Sequence, residues 1–221
     1  MTLSDPCEIT PNASEQPRRA IAHRLTFFVR LVFLASRLAY QRLIVFWYSL
    51  LLKSRLVILG VDVQPGLRAS GWVVLRIHPL ARVRIGRNFR INSGYAVNCV
   101  GSGQRTCIHV GRAGSLSVGN DVGISNSVII CMESVAIGDG TLVGGGCLIL
   151  DSDLHELPLG CGLPRTRPTT IGERVFVGAH ARILKGTLLG TGSVVGAGAV
   201  VRGKIREGSW VTEGVARRDG S

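Results

Sequence analysis

The amino-acid sequence predicts an all-β solenoid, a parallel β-helix of hexapeptide repeats with an N-terminal helical segment. Three observations predict it. A branched aliphatic residue, usually followed by glycine, recurs every six residues, as in Ile171-Gly172, Val177-Gly178, Ile183-Leu184, Leu189-Gly190, Val195-Gly196 and Val201-Arg202. The composition is 46% hydrophobic but only 5% aromatic, with 29 glycines in 221 residues. The apolar mass is therefore mostly Val, Ile, Leu and Ala, which fills a narrow interior rather than a thick core. Finally, residues 18–59 contain neither proline nor glycine, and Gly60 follows them, the pattern of a helix and its stop.

In chain order, residues 1–17 are polar and broken by Pro6, Pro11 and Pro17, and a disordered tail is expected. Residues 18–60 form a basic amphipathic helical segment, as one helix or two. Residues 16–61 hold eight Lys and Arg and no acid, against a net charge of +12 for the chain. At 100° per residue, Arg24, Arg42 and Lys53 group together and Arg30, Arg37 and Arg55 form a second group. Together they occupy an arc of about 160° and leave about 200° free of charge. The longest run without a formal charge, LIVFWYSLLL at residues 43–52, makes only ~15 Å of helix against a ~30 Å hydrocarbon core. The expectation is a helix lying in the interface of an anionic membrane surface, with packing on its own or a neighbouring subunit as the alternative. Nucleic acid is not expected as a partner, because the arginines alternate with aliphatics rather than with stacking aromatics.

Residues 61–211 follow the six-residue frame. It runs through Ile85-Gly86, Ile91-Asn92 and Val97-Asn98, returns at Val110-Gly111 after an insertion, and continues through Val118-Gly119, Ile124-Ser125 and Ile130-Cys131. One extra residue resets it to Ile137-Gly138, Val143-Gly144 and Ile149-Leu150. A period of six is neither helical nor simple strand alternation; it suits a short strand and a tight corner, repeated. Three such units close one coil, and stacked coils bury their aliphatics only against each other. At roughly 1.5–3 kcal/mol per buried aliphatic, a ladder of about twenty can hold the coil without aromatics. Six cysteines, Cys7, Cys99, Cys107, Cys131, Cys147 and Cys161, include no CxxC pair. A reduced, cytoplasmic protein is expected, peripheral on the inner face of the membrane. Residues 212–221 form a C-terminal tail.

One interruption breaks the frame. Ile149 to Ile171 spans 22 residues where the repeat calls for 18. The loop, at about residues 151–170, carries Pro158, Pro164 and Pro168 and opens on His155, with Asp151, Asp153 and Glu156 nearby. Long loops on rigid scaffolds are commonly functional.

The repeated aliphatic-glycine hexads resemble those of the hexapeptide-repeat acyltransferases, whose fold is a left-handed parallel β-helix; the handedness comes from this resemblance alone. ILDSDLHEL, a loop, and then TTIGERVFVGAHARILKGTLLGTGSVVGAGAVV look like the sugar and capsular polysaccharide O-acetyltransferases of that superfamily. The resemblance implies an acetyl-CoA-dependent sugar O-acetyltransferase, acting in polysaccharide or glycolipid synthesis as a homotrimer and needing no metal. Carried over by motif, His155 is the general base; an imidazole with an ordinary pKa of about 6.5 suits that task. Asp151, Asp153 or Glu156 would orient its ring. Oxyanion donors would be the amides at Gly178-Ala179 and the side chain of Asn126. The pantetheine arm of the cosubstrate would lie against Gly178, Ala179, Ala197 and Gly198, and Arg217 and Arg218 would meet the CoA phosphates. Two positions depart from the family pattern: Val215-Ala216 stands where a proline is expected, and Phe176 where a tryptophan is frequent. A zinc-dependent carbonic anhydrase also uses this fold, but His109, His155 and His180 lack the paired spacing of its ligands. A serine-type or N-acyltransferase of the same fold, and a non-catalytic membrane-associated scaffold, remain as alternatives.

Overall fold

A computed structural model describes residues 16–95, 97–101, 103–156 and 162–212, with side chains from residue 30 onward. Of the expected tail at residues 1–17, residues 1–15 lie outside the described residues, as do Arg217 and Arg218, while Gln16 and Pro17 belong to the helix. The chain divides into two compact units, Met1–Leu43 and Ile44–Ser221.

A single α-helix, Gln16–Ile58, runs through the glycine- and proline-free stretch. In the first unit, every described side chain from residue 30 to 43 is exposed. In the second unit, the last turns pack on the first coil, where Leu52 and Leu56 join Val61, Ala69 and Val73 in the core. The Ala69 amide donates to Ser49 Oγ (2.9 Å) and Arg55 Nη1 donates to the Val73 carbonyl (2.9 Å). The Arg55 guanidinium also stacks 4.4 Å from the Trp72 ring centre. At the end of the helix Gly60 takes a φ of 75°. Its amide reaches Val57 O, and the Val61 amide reaches Leu56 O. Only glycine adopts that left-handed turn without penalty.

Beyond Gly60 the chain winds as a triangular coil of three parallel sheets. The first runs from Asp62–Val63 to Lys204–Ile205, the second from Arg68–Ser70 to Trp210–Val211, and the third from Val74–Ile77 to Val200–Val201. Hexad aliphatics stack in register: Ile85, Val118, Ile137, Ile171, Leu189 and Ile205 form one inward ladder, and all are buried. The small fifth positions Val122, Thr141, Cys147, Val175, Ala181, Thr187, Ser193 and Ala199 are buried as well. Where such a residue is polar it serves the backbone: Thr141 Oγ1 donates to Gly172 O (2.8 Å) and accepts from the Val175 amide (3.2 Å).

The frame departs from expectation in two places. Val97 does not begin a hexad; it lies in an insertion at residues 93–105 and is 40% exposed. Ile130 does not face inward. The corner at Asn126 is one residue shorter than its neighbours, so Ile129 and Cys131 are buried instead, and Val128 lies on the outer side. A one-residue slip exchanges the two faces of a strand, and the extra residue before Ile137 restores the frame.

Candidate functional site

The excursion leaves the coil after Leu148–Leu150 of the third sheet and rejoins at Thr169–Ile171 of the first. A short antiparallel closure forms its base. Ser152 bridges Thr166, the Asp153 amide donates to Arg165 O (3.1 Å), and the Arg167 amide donates to Asp151 O (2.8 Å). Lys185, from the next coil, ion-pairs with Asp153 and donates to Arg165 O (3.4 Å). Both partners are largely shielded, with side-chain exposures of 9% and 22%. This lysine was missed in the sequence, because nothing in ILKGTLL marks it as facing a residue 32 positions earlier.

His155 stands on this stapled base and its side chain is exposed. Among the described residues, none hydrogen-bonds to its ring. Leu154, immediately before it, has a φ of 64°, a conformation that costs a non-glycine residue ~1–2 kcal/mol. The three neighbouring carboxylates are committed elsewhere. Asp151 is fully buried, and its carboxylate accepts the amides of Met132 (2.8 and 3.1 Å), Glu133 (2.8 Å) and Ser134 (2.7 Å) from the preceding coil. The expectation that Asp151 orients the imidazole therefore gives way to a structural role. Asp153 holds Lys185, and Glu156 accepts the Gly162 amide (3.0 Å).

The expected cosubstrate positions gather at the other end of the third sheet, at the corner where the second sheet turns into it. Val143, Val177 and Val195 pair in register, so Gly145, Ala179 and Ala197 occupy equivalent corner positions. Ala197 and Gly198 are exposed and Ala179 partly so. Gly198 has a φ of 71°, and a Cβ there would meet nothing within 4 Å. Gly178 differs: it is buried, and a Cβ there would sit 2.6 Å from Ala197 N. Its amide is already bonded to Val195 O (2.7 Å), so of the Gly178-Ala179 pair only the Ala179 amide is left for a ligand. His180 follows at the same corner with a φ of 60°, exposed, its amide on Gly145 O (2.8 Å).

Asn126 belongs to this corner too, but as an anchor. It is fully buried. Nδ2 donates to Asn98 O (2.6 Å) and Val100 O (3.0 Å), and Oδ1 accepts the Gly94 amide (2.8 Å). With every amide function engaged in holding the insertion, Asn126 has no donor left for an oxyanion, and that expectation is corrected.

Two further chemistries can be assessed. Burial, and then the charge of Asp151, push the Cys131 thiol up to about 12, and burial raises Cys147 and Cys107. These three are neutral thiols at physiological pH rather than ready nucleophiles. Among the described residues no three His, Cys, Asp or Glu side chains converge as metal ligands.

The strand Leu148–Leu150 of the third sheet thus runs between the corner of the Ala179–Ala197 column and the excursion that carries His155.

Comparison with known proteins places this architecture. A family model described as the hexapeptide repeat of succinyl-transferase matches residues 168–202. The putative lipopolysaccharide biosynthesis O-acetyl transferase WbbJ of Escherichia coli (strain K12) is 31% identical over 137 residues, covering 57% of this chain and 64% of that protein. The probable acetyltransferase Rv3034c of Mycobacterium tuberculosis is 33% identical over 110 residues, covering 44% of this chain and 37% of that protein. The chain thus spans less than two thirds of the length of these curated relatives. Among solved structures, a variant of AntD, an N-acyltransferase from Bacillus cereus, in complex with dTDP and Coenzyme A, superposes with a TM-score of 0.55 at 16% identity. That match covers 70% of this chain and 80% of AntD and speaks to fold. The hexad frame, the three-sheet coil, the matching repeat and the solved neighbour give the chain the hexapeptide-repeat fold, a left-handed parallel β-helix, and the curated relatives that it resembles in sequence are described as acetyltransferases.

Proposed function

We propose that the protein transfers an acetyl group from acetyl-CoA to a sugar hydroxyl in polysaccharide or glycolipid synthesis, at sites formed between the subunits of a homotrimer. The observation that carries this reading is the division of labour between two corners. Each chain carries an exposed imidazole, unpartnered among the described residues, beyond one end of the third sheet's Leu148–Leu150 strand and a strip of small residues at the other. In a closed ring of copies, one chain's His155 corner meets its neighbour's Ala179–Ala197 corner, and two half-sites become one. What supports it among similar proteins is the relative described as a putative lipopolysaccharide biosynthesis O-acetyl transferase; the fold neighbour AntD, an N-acyltransferase, was solved with Coenzyme A bound.

In the reaction, His155 accepts the proton of the acceptor hydroxyl as its oxygen attacks the thioester carbonyl. The Ala179 amide faces the oxyanion. A C–O bond forms, the C–S bond breaks, and the CoA thiolate leaves with the proton returned by the imidazolium. No acyl-enzyme is required, in keeping with the neutral thiols of Cys131 and Cys147. Small side chains at Ala179, Ala197 and Gly198 admit an extended pantetheine close to the backbone, and Arg217 and Arg218 meet the CoA phosphates. Arg165 and Arg167, exposed on the excursion, face the acceptor side and favour an acidic sugar. Replacing both should weaken acidic acceptors more than neutral ones.

The test is transfer from labelled acetyl-CoA to a panel of free and lipid-linked glycans, amines included, read by mass spectrometry. His155→Ala should lower the rate by about 10²–10⁴-fold with an unchanged melting temperature, since the ring is exposed and none of the described residues hydrogen-bonds to it. Mixing His155→Ala chains with chains carrying a bulky Ala197→Trp should restore part of the activity if each site is shared. Absence of transfer by wild type, or no loss in His155→Ala, overturns the reading.

A further inference from the structure

The last turns of the helix, residues 44–58, have two apolar faces, and among the described residues only one is covered. Leu52 and Leu56 lie on the arc of about 160° that also holds Lys53 and Arg55, and it is this basic side that packs on the first coil. The charge-free arc of about 200° points away. It carries Phe46, Trp47, Leu50, Leu51, Val57 and Ile58, exposed from 45% at Leu51 to 83% at Ile58. Amphipathic surface helices do the reverse, burying the apolar face and leaving the charged one to water. An unpartnered patch of six large apolar side chains marks an interaction surface.

Charge selects the partner. Residues 16–92 contain fourteen Lys and Arg against a single acid, Asp62, so the net charge of this stretch is +13 and the rest of the chain sums to −1. Six of those arginines, Arg68, Arg76, Arg82, Arg84, Arg87 and Arg90, belong to the first coils, on which the helix packs. A second copy docked face to face would bring two such fields together. A phosphodiester surface over hydrocarbon answers both the charge and the grease. The Phe46–Trp47 edge-to-face pair, 5.7 Å between centres, has the amphipathic ring character found at that boundary. No helix among the described residues is long and apolar enough to cross a bilayer, so the segment lies in the plane of the interface.

We propose that the outward face of residues 44–58 docks the protein on an anionic phospholipid bilayer. The contact is independent of the transfer chemistry, and the assay keeps them apart. Full-length protein is pelleted with vesicles of mixed phosphatidylglycerol and phosphatidylcholine, and with phosphatidylcholine alone. Binding should require the anionic lipid and fall with added salt. The triple variant Phe46→Ser, Trp47→Ser, Leu50→Ser should lose at least about tenfold in partitioning. Its melting temperature and its acetyl transfer to a soluble acceptor should be unchanged, because Leu52 and Leu56 are untouched. Equal pelleting of the variant, or equal binding to phosphatidylcholine alone, overturns the proposal. So does a wild type that ignores vesicles and runs as a dimer dissolved by the same three substitutions.

Discussion

The two excursions from the coil, residues 93–105 and 151–168, are built on a common plan and differ in what they present. Each is pinned by one fully buried polar side chain reaching between coils: Asn126 for the first and Asp151 for the second. Asn126 is neutral and bonds to the excursion itself, at Gly94, Asn98 and Val100. Asp151 is an acid within its own excursion and grips the preceding coil through three amides. The second loop has an additional staple, the Lys185–Asp153 pair, and it alone carries a histidine. The acids that surround His155 in the sequence hold the base of its loop, and among the described residues none of them hydrogen-bonds to the imidazole.

Breaking the anchors should show this order of importance. Asp151→Ala leaves three buried amides facing a cavity, and a loss of about 3 kcal/mol or more in urea unfolding is expected. Asp151→Asn should be nearly as harmful, because its amide hydrogens would point at other donors; full rescue by asparagine would show that charge and acceptor count do not matter there. Asn126→Ala should cost less, about 2 kcal/mol. Its former partners belong to a surface loop that water can reach, so limited proteolysis within residues 94–105 should rise more than global stability falls. Lys185→Met should cost about 1–2 kcal/mol, a figure lowered by the partial exposure of Asp153. Hydrogen exchange at residues 152–166 should quicken, and the proposed acetyl transfer should fall several-fold. Unchanged exchange there would remove the lysine from the loop's support.

The solenoid and the second excursion were legible because both are one-dimensional signals, a period and its interruption. Gly60 as helix stop was equally plain. What escaped was three-dimensional. Asn126 finds its partners 26 to 32 residues away, and Lys185 finds Asp153 at a separation of 32, beyond any local pattern. The Ile130 frame failed because a corner shortened by one residue reverses which side chains face inward while leaving the alternation of VIIC unchanged. Clustering in sequence also misled about the acids: Asp151 lies four residues from His155, yet an extended strand end turns its carboxylate into the coil.

The smallest effect tests whether corners far from either excursion matter at all. Asp139 sits where the first sheet turns into the second. Its carboxylate accepts the Asn120 side-chain amide (2.9 Å) and backbone amide (2.9 Å), and these bonds, the side-chain one first, hold its pKa below the usual carboxylate range. A depressed carboxylate contributes stability that is fully present above its unfolded pKa of about 3.9. That contribution fades as pH falls through the lower folded value. Asp139→Asn should therefore cost a little at pH 7 and nothing once the wild-type carboxyl is protonated, so the two denaturation midpoints converge as pH falls through the lowered folded value. A gap that stays constant from neutral to acid pH would mean that the Asn120 bonds act through shape alone, and that the corner is as indifferent to charge as the aliphatic ladder beneath it.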